Sequence, residues 1–431
     1  MESSASVIGE GSYGCVHKPK LECNKSKKVD KLDSKKFISK FMLTKEALQE
    51  MSEYAMISHI DSKKKYYLGK PFKCKPKKNK YNLNSIKKCD IYKNVKNKLG
   101  TTSKLSTIKS FSKTKKNSFD KFSLLIIPDG GTDLSKLADS FSQMTVSEKK
   151  EILKKFWKDA DNLFEGVIVF QKHDIIHHDI KPQNVLFNKD TGKLKFIDFG
   201  LMRKLNEVIH ISKKSENYIA EYPFWTYPFE FPYLNYENFM KIAELSVEKK
   251  YEYYDDLVSK LHDSSSKISI ACRVFFDYIL HNMSEEERTE EIKKYFDDFM
   301  DTIIYEIVPD NYANFLEKSI HTIDLFGVGI ILQFMLCYSE KIFDSKTIDL
   351  LKDCFFNMMR PSVSHRYTVQ EGFQYFTEIM KKDKKKEVSI KYPLSNNFNL
   401  SNIKKLSKKM RDTFISKQQD ILEKAKTKLE K

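Results

Sequence analysis

Residues 177–184 read "HHDIKPQN". An Asp stands two residues before a Lys and five before an Asn, behind a double His. A polar turn could hold the same charges, so its neighbours decide what the stretch means. Fourteen residues after Asn184 comes Asp198-Phe199-Gly200. Between them, "NVLF" and "KLKFID" flank "NKDTGK", the pattern of a β-hairpin. Such a hairpin would bring Asn184 and Asp198 to one place.

The residue types suit phosphoryl transfer, which asks a protein for positioning and charge neutralisation more than for covalent chemistry. Asp179 can take or orient the proton of an attacking hydroxyl. Lys181 can neutralise a γ-phosphate. Asn184 and Asp198 offer oxygens to Mg²⁺, a hard ion that prefers oxygen ligands. Upstream, "SVIGEGSYGCVHKP" carries Gly9-x-Gly11-x-x-Gly14-x-Val16. Glycines there let a strand–turn–strand backbone approach phosphates. No helix follows directly, unlike the dinucleotide-binding version. Lys40, in "FISK" with Ile38 on its face, suits α/β-phosphates, and Glu50 on the next helix could hold it.

Around these motifs, residues 6–40 read as strands, and 44–59 as a helix with Thr44 as N-cap. "FSLLIIP" (122–128) reads as a buried strand. An amphipathic helix is expected from Ser147 to about Lys172. From about 235 to 382 the pattern is helical. The Lys-, Ser- and Asn-rich stretch 61–120 has few periodic apolar positions and reads as a long insertion.

With these motifs in this order, the chain resembles the eukaryotic-type serine/threonine protein kinase superfamily. The resemblance covers about 6–60 and 122–380. It implies an α+β bilobal fold, with a small, mainly β N-lobe and a large, mainly α C-lobe. The N-lobe would be 1–128, with the basic insertion 61–121. The C-lobe would be 129–382, with a helical insertion at about 235–320, and 383–431 would be a basic tail. ATP with Mg²⁺, or Mn²⁺ in its place, would be the cofactor, and protein hydroxyls the acceptors. Asp179, Lys181, Lys40 and Glu50 take catalytic roles, with Glu53 as the alternative to Glu50. Ile8, Gly9, Gly11, Gly14, Val16, Ile38, Lys40, Leu125, Ile127 and Asp133 would surround ATP. Asp133 would reach the ribose, and Ile126 to Asp129 would form the hinge. Asn184 and Asp198 would bind metal. His177, Phe199, Gly200, Glu230, Asp324 and Arg366 would be structural, with Glu230 of "YPFE" pairing with Arg366. Together with the Lys-rich insertion, "GSYGCVHKPKLEC", "IDFGLM" and "YPFE" look most like the kinases of large nucleocytoplasmic DNA viruses, mimivirus-like. That would place the chain in a host cytoplasm or a virion.

The chain departs from the family at His178, where an Arg usually receives a phosphate from the activation segment. Activity is therefore expected to depend less on such a phosphate unless His178 is protonated. "DIKPQN" resembles the Ser/Thr type. Pro223 points instead toward tyrosine kinases and leaves dual specificity open. A catalytically weak pseudokinase scaffold and a small-molecule phosphotransferase are the competing classes.

Composition sets the remaining bounds. The 431 residues carry a net charge of +17. Residues 61–122 hold 20 Lys and 3 Asp, and residues 381–431 hold 16 basic and 6 acidic residues. A mildly acidic body thus carries two basic segments. Only 6 of the 76 basic residues are Arg. Lys acts as a point charge, so 61–121 suits weak contact with nucleic acid or acidic proteins rather than sequence reading. No apolar run reaches the roughly 18 residues that would span a bilayer, and "MESSASVIGEG" shows no leader pattern. Neither membrane insertion nor a signal peptide is expected. Seven scattered Cys without a C-x-x-C pair favour reduced thiols and an intracellular site. Cys74 and Cys89 sit in one loop-like stretch and could supply half of a zinc site.

Overall fold

In the computed structural model, the described residues are 4–11, 14–90, 92–93, 121–215, 224–262 and 266–383. Most of the tail, Pro223 and the middle of the basic insertion fall outside them. Five antiparallel strands form the N-terminal sheet: β1 (Ser6–Gly11), β2 (Gly14–Lys18), β3 (Phe37–Leu43), β4 (Phe72–Cys74) and β5 (Phe122–Pro128). Their order is β1-β2-β3-β5-β4.

The unbroken apolar run of β5 follows from both its faces being covered. Leu124 and Ile126 join Phe41, Phe122 and Ile86 in one cluster. Leu125 and Ile127 point the other way, into a cluster with Ile38, Met42 and Ala47. Ala47 belongs to α1 (Thr44–Ile60). Gly14 is required where β2 meets β3, since a Cβ there would lie 2.6 Å from the Phe41 carbonyl oxygen.

Four sequence expectations differ from the structure. Thr44 does not cap α1 through its side chain. Its hydroxyl instead lies 3.0 Å from Ser123 Oγ and accepts from Lys75 Nζ at 2.9 Å. The stretch 61–120 is not wholly an insertion, because Phe72–Cys74 pairs with Leu124–Ile126 as the sheet edge. Lys80–Ile86 then forms α2, capped by Asn79. A three-residue strand is too short to show a period in sequence. Finally, four of the seven Cys are paired, Cys15 with Cys89 and Cys23 with Cys74, at Cα separations of 6.0 and 5.8 Å. Those separations suit disulfides, so the expectation of seven reduced thiols fails, as does a zinc site on Cys74 and Cys89.

After β6 (Thr132–Asp133) and α3 (Leu134–Asp139), the chain is mainly helical. Helix α4 (Val146–Asp159) opens on a capping box, Thr145 with Glu148, a signature that satisfies two otherwise orphaned N–H groups. It runs through Ala160, whose backbone keeps helical angles, into α5 (Asp161–Lys172). The strands β7 (Ile175–Ile176), β8 (Val185–Asn188), β9 (Lys193–Phe196) and β10 (Arg203–Lys204) follow, then α6 (Leu205–Lys213). Four helices fill the later stretch: α7 (Tyr236–Ala243), α8 (Val247–His262), α9 (Lys267–Ile279) and α10 (Glu285–Asp301). The last three are α11 (Tyr312–Leu336), α12 (Ser345–Met358) and α13 (Val369–Asp383).

The stretch Pro309–Leu336 is long and apolar enough to cross a membrane, yet 94% of its apolar window is buried inside the fold. It is the core helix, packed among Phe164, Phe275, Phe355 and Phe376.

Candidate active site

The site begins at a junction between α11 and the loop after β7. Gly327 lets α11 approach, because a Cβ there would lie 2.4 Å from the Ile180 carbonyl oxygen. One turn earlier, buried Asp324 accepts the His177 N–H at 2.8 Å and the His178 N–H at 2.9 Å. Burial raises the Asp324 pKa to about 7. These bonds hold a bend in which His178 has φ +66°, a costly conformation for a non-glycine residue. Both imidazoles are buried and disfavour a proton, His177 falling to about 4 and His178 to about 3 through desolvation.

The bend presents Asp179, which is only 7% exposed. Lys181 Nζ donates to both its oxygens, at 2.7 and 2.9 Å. Asn184 Nδ2 donates to the Asp179 carboxylate at 2.6 Å and to its carbonyl at 2.9 Å. Burial raises the Asp179 pKa, while Lys181 works against the shift.

The β8–β9 hairpin pairs Val185 with Phe196, and the Ile197 N–H bonds the Asn184 carbonyl at 3.0 Å. The hairpin thus carries Asn184 to the start of Asp198-Phe199-Gly200. Asp198 has φ +63°, and its exposed carboxylate accepts no hydrogen bond among the described residues. With Asn184 Nδ2 turned to Asp179, Asn184 Oδ1 and the Asp198 carboxylate make an oxygen donor set that fits Mg²⁺.

Phe199 faces the opposite way, into the core. Its ring contacts Tyr54 at 5.6 Å, Tyr67 at 6.4 Å and His177 at 5.2 Å between centroids. This aromatic column ties α1 to the loop. On the sheet, Lys40 is flanked by Val16 of β2 and Leu125 of β5. Its Nζ lies 2.6 Å from Glu50 Oε2, so Glu50 rather than Glu53 is the partner. Glu53 is half-buried, and burial, then Glu50 and then Asp198 raise its pKa.

Ile38, Leu125 and Ile127, with Val16 and Leu68 beside them, form an apolar wall next to Lys40. Ile8 is exposed, and its carbonyl accepts from Lys136 at 3.2 Å. Asp133 caps α3, accepting from the Lys136 N–H at 2.9 Å, and its carboxylate lies 3.1 Å from Lys136 Nζ. The Asp133 carboxylate is thus engaged within its own helix. In the sequence, only the spacing of three from Asp133, a helix-pair signal, marks Lys136.

Away from the cleft, Arg366 and Glu230 form a buried bidentate pair at 2.6 and 2.8 Å. Ser319 Oγ adds a bond to Glu230 at 2.7 Å. Phe229, next to Glu230, lies among Phe275, Tyr295, Phe296 and Phe299, all rings of the 235–320 stretch. That stretch also grips the loop before Arg366. Asp298 accepts three bonds from the Arg360 guanidinium, and Glu306 accepts from Ser362, Val363 and Ser364. Nothing local in the sequence marks Asp298 or Glu306, since their partners lie more than 50 positions away.

Residues 61–222 match the protein kinase domain family. That span holds Asp179, Lys181, Asn184 and Asp198, but neither the glycine-rich strands nor Lys40. The chain is also 34% identical over 86 residues, a fifth of each chain, to a Mycoplasma genitalium protein named "Putative serine/threonine-protein kinase". It is 37% identical over 62 residues, 14% of this chain and 16% of the relative, to serine/threonine-protein kinase 17A of Oryctolagus cuniculus. A titin homolog of Caenorhabditis elegans is 35% identical over 78 residues, 18% of this chain and a negligible share of that protein. The chain spans a fifth or less of the length of these relatives. These similarities support the protein kinase superfamily.

Proposed function

We propose that the chain is an active protein kinase that transfers the γ-phosphoryl group of ATP to Ser and Thr hydroxyls of proteins. The observation that carries this reading is Asp179, buried and held on both oxygens by Lys181 and Asn184, near the exposed carboxylate of Asp198. The acceptor hydroxyl oxygen attacks the γ-phosphorus, the bond to the β,γ-bridging oxygen breaks, and ADP leaves with that electron pair. Asp179 orients the hydroxyl and takes its proton, and Lys181 offsets charge on the transferred group. Asn184 and Asp198 would hold Mg²⁺, which supplies charge neutralisation at the phosphates. Lys40, held by Glu50, would position the α/β-phosphates, and the wall of Val16, Ile38, Leu125 and Ile127 would receive the base. Lys181, two residues after Asp179, and the names of the relatives support Ser/Thr acceptors. The quoted motifs support likeness to the viral kinases. Exposed lysines such as Lys63, Lys64, Lys77 and Lys88 support weak contact with acidic partners.

The test is labelled ATP with Mg²⁺ and mixed test proteins, wild type beside Asp179→Asn. Label on Ser and Thr is expected to fall at least about 100-fold in the variant. Equal labelling by the two folded proteins would overturn the reading.

A further inference from the structure

One side chain of the 235–320 stretch reaches the catalytic loop. Tyr278, near the end of α9, receives a hydrogen bond from Gln183 Nε2 on its hydroxyl. The same hydroxyl lies 3.4 Å from Ser135 Oγ on α3. The Tyr278 ring stacks on Trp225, with centroids 4.4 Å apart and planes 14° from parallel. Phe334 of α11 is a further neighbour, at 5.1 Å. One ring therefore joins four pieces: the catalytic loop, the helix after β6, the segment before Glu230, and the core helix.

Two of those pieces border the chemistry directly. Gln183 precedes Asn184, and its Oε1 is buried without a partner among the described residues. The Tyr278 hydroxyl is then the hydrogen-bonding anchor of the Gln183 amide. Phe224, next to Trp225, lies under Lys181 Nζ, 5.0 Å from its ring centre.

We propose that Tyr278 is a positioning residue that fixes the metal-binding end of the catalytic loop through Gln183 and the floor under Lys181 through Trp225. The stretch between Glu230 and Asp324 is thereby a working part of the site and not padding. This inference rests on the kinase reading. Loosening Gln183 lets Asn184 drift, and a misplacement of about 1 Å at a reacting centre costs up to about 100-fold in rate. The stacking face is a separate contribution, so losing the hydroxyl alone affects the metal pair first.

The experiment uses the full chain as wild type, Tyr278→Phe, Gln183→Ala and the double variant. Mg²⁺ is titrated against transfer from labelled ATP to casein. It is also titrated against the thermal shift caused by a non-hydrolysable ATP analogue, which needs no turnover. Tyr278→Phe is expected to lower kcat about 10-fold and to raise the half-saturating Mg²⁺ about threefold, since acting groups must sit within about half an ångström. KM for ATP at saturating Mg²⁺ and the thermal midpoint should stay near the wild-type values. The double variant should match Gln183→Ala, because the two residues act through one bond. Losses that add in the double variant, or a Tyr278→Phe protein within twofold of wild type in both titrations, would overturn the inference alone. A wild type that neither transfers phosphate nor binds the analogue with Mg²⁺ would overturn the kinase reading and this inference with it.

Discussion

Two ion pairs frame the site, and they are built to opposite specifications. Glu230 and Arg366 are sealed, with 0% exposure on both side chains. Around them, Ser319, Thr322 and the Arg360 carbonyl satisfy what the pair leaves over. Lys40 and Glu50 stay open, 24% and 16% exposed, with Glu53 one turn away as a second carboxylate. A sealed pair offsets its desolvation cost only while it is whole, so it locks geometry. An open pair contributes little to folding, and its lysine can turn to a phosphate when one arrives. The difference separates residues that hold the frame from residues that, in the proposed kinase reading, would meet ATP.

The largest expected effect comes from breaking the sealed pair. Arg366→Met leaves a buried carboxylate uncompensated and should cost about 3–5 kcal/mol in urea unfolding. The double variant Glu230→Gln/Arg366→Met should recover part of that loss. A single variant as stable as wild type would place the pair outside the frame.

Acid sharpens the comparison from the frame side. The folded His178 pKa, about 3, lies below its ordinary 6.5. The neutral ring's contribution is therefore complete above pH 6.5 and is lost as pH falls toward 3. Asp324 and Asp179, with raised pKa values, act in the opposite sense, so the overall pH profile mixes signs. The difference between wild type and His178→Asn isolates the ring, and Asn tolerates the positive φ at this position. The variant should lose about 1.4 kcal/mol less stability per pH unit below 6.5, measured by denaturant unfolding at pH 6.5, 5.5 and 4.5. Parallel curves would mean that the ring is protonated in the fold.

Opening the other pair should barely move stability. Lys40→Met is expected to change unfolding by no more than about 1 kcal/mol while transfer falls about 100-fold. A large loss of stability there would erase the distinction between the two pairs.

Much of this was legible because it is local. The 177–184 loop, the Asp198 turn and the hairpin between them sit within 24 positions, and their geometry follows from period and turn chemistry. Lys40 and Glu50 were legible as a strand followed by a helix. What escaped notice lies between distant segments. Tyr278 meets Gln183 across 95 positions, and Cys15 meets Cys89 across 74. β4 has too few residues for its alternation to show. The Asp133 carboxylate, expected at the ribose, also caps its own helix, because a carboxylate at the N-cap finds an N–H three residues on.

The paired cysteines also give the N-terminal part a covalent topology unlike a simple thread. Residues 15–89 and 23–74 form one ring nested inside another. A single break in the backbone anywhere between Cys23 and Cys89 would open a ring without releasing a piece. The glycine-rich strands would stay joined by sulfur to the rest of the molecule after peptide continuity had gone.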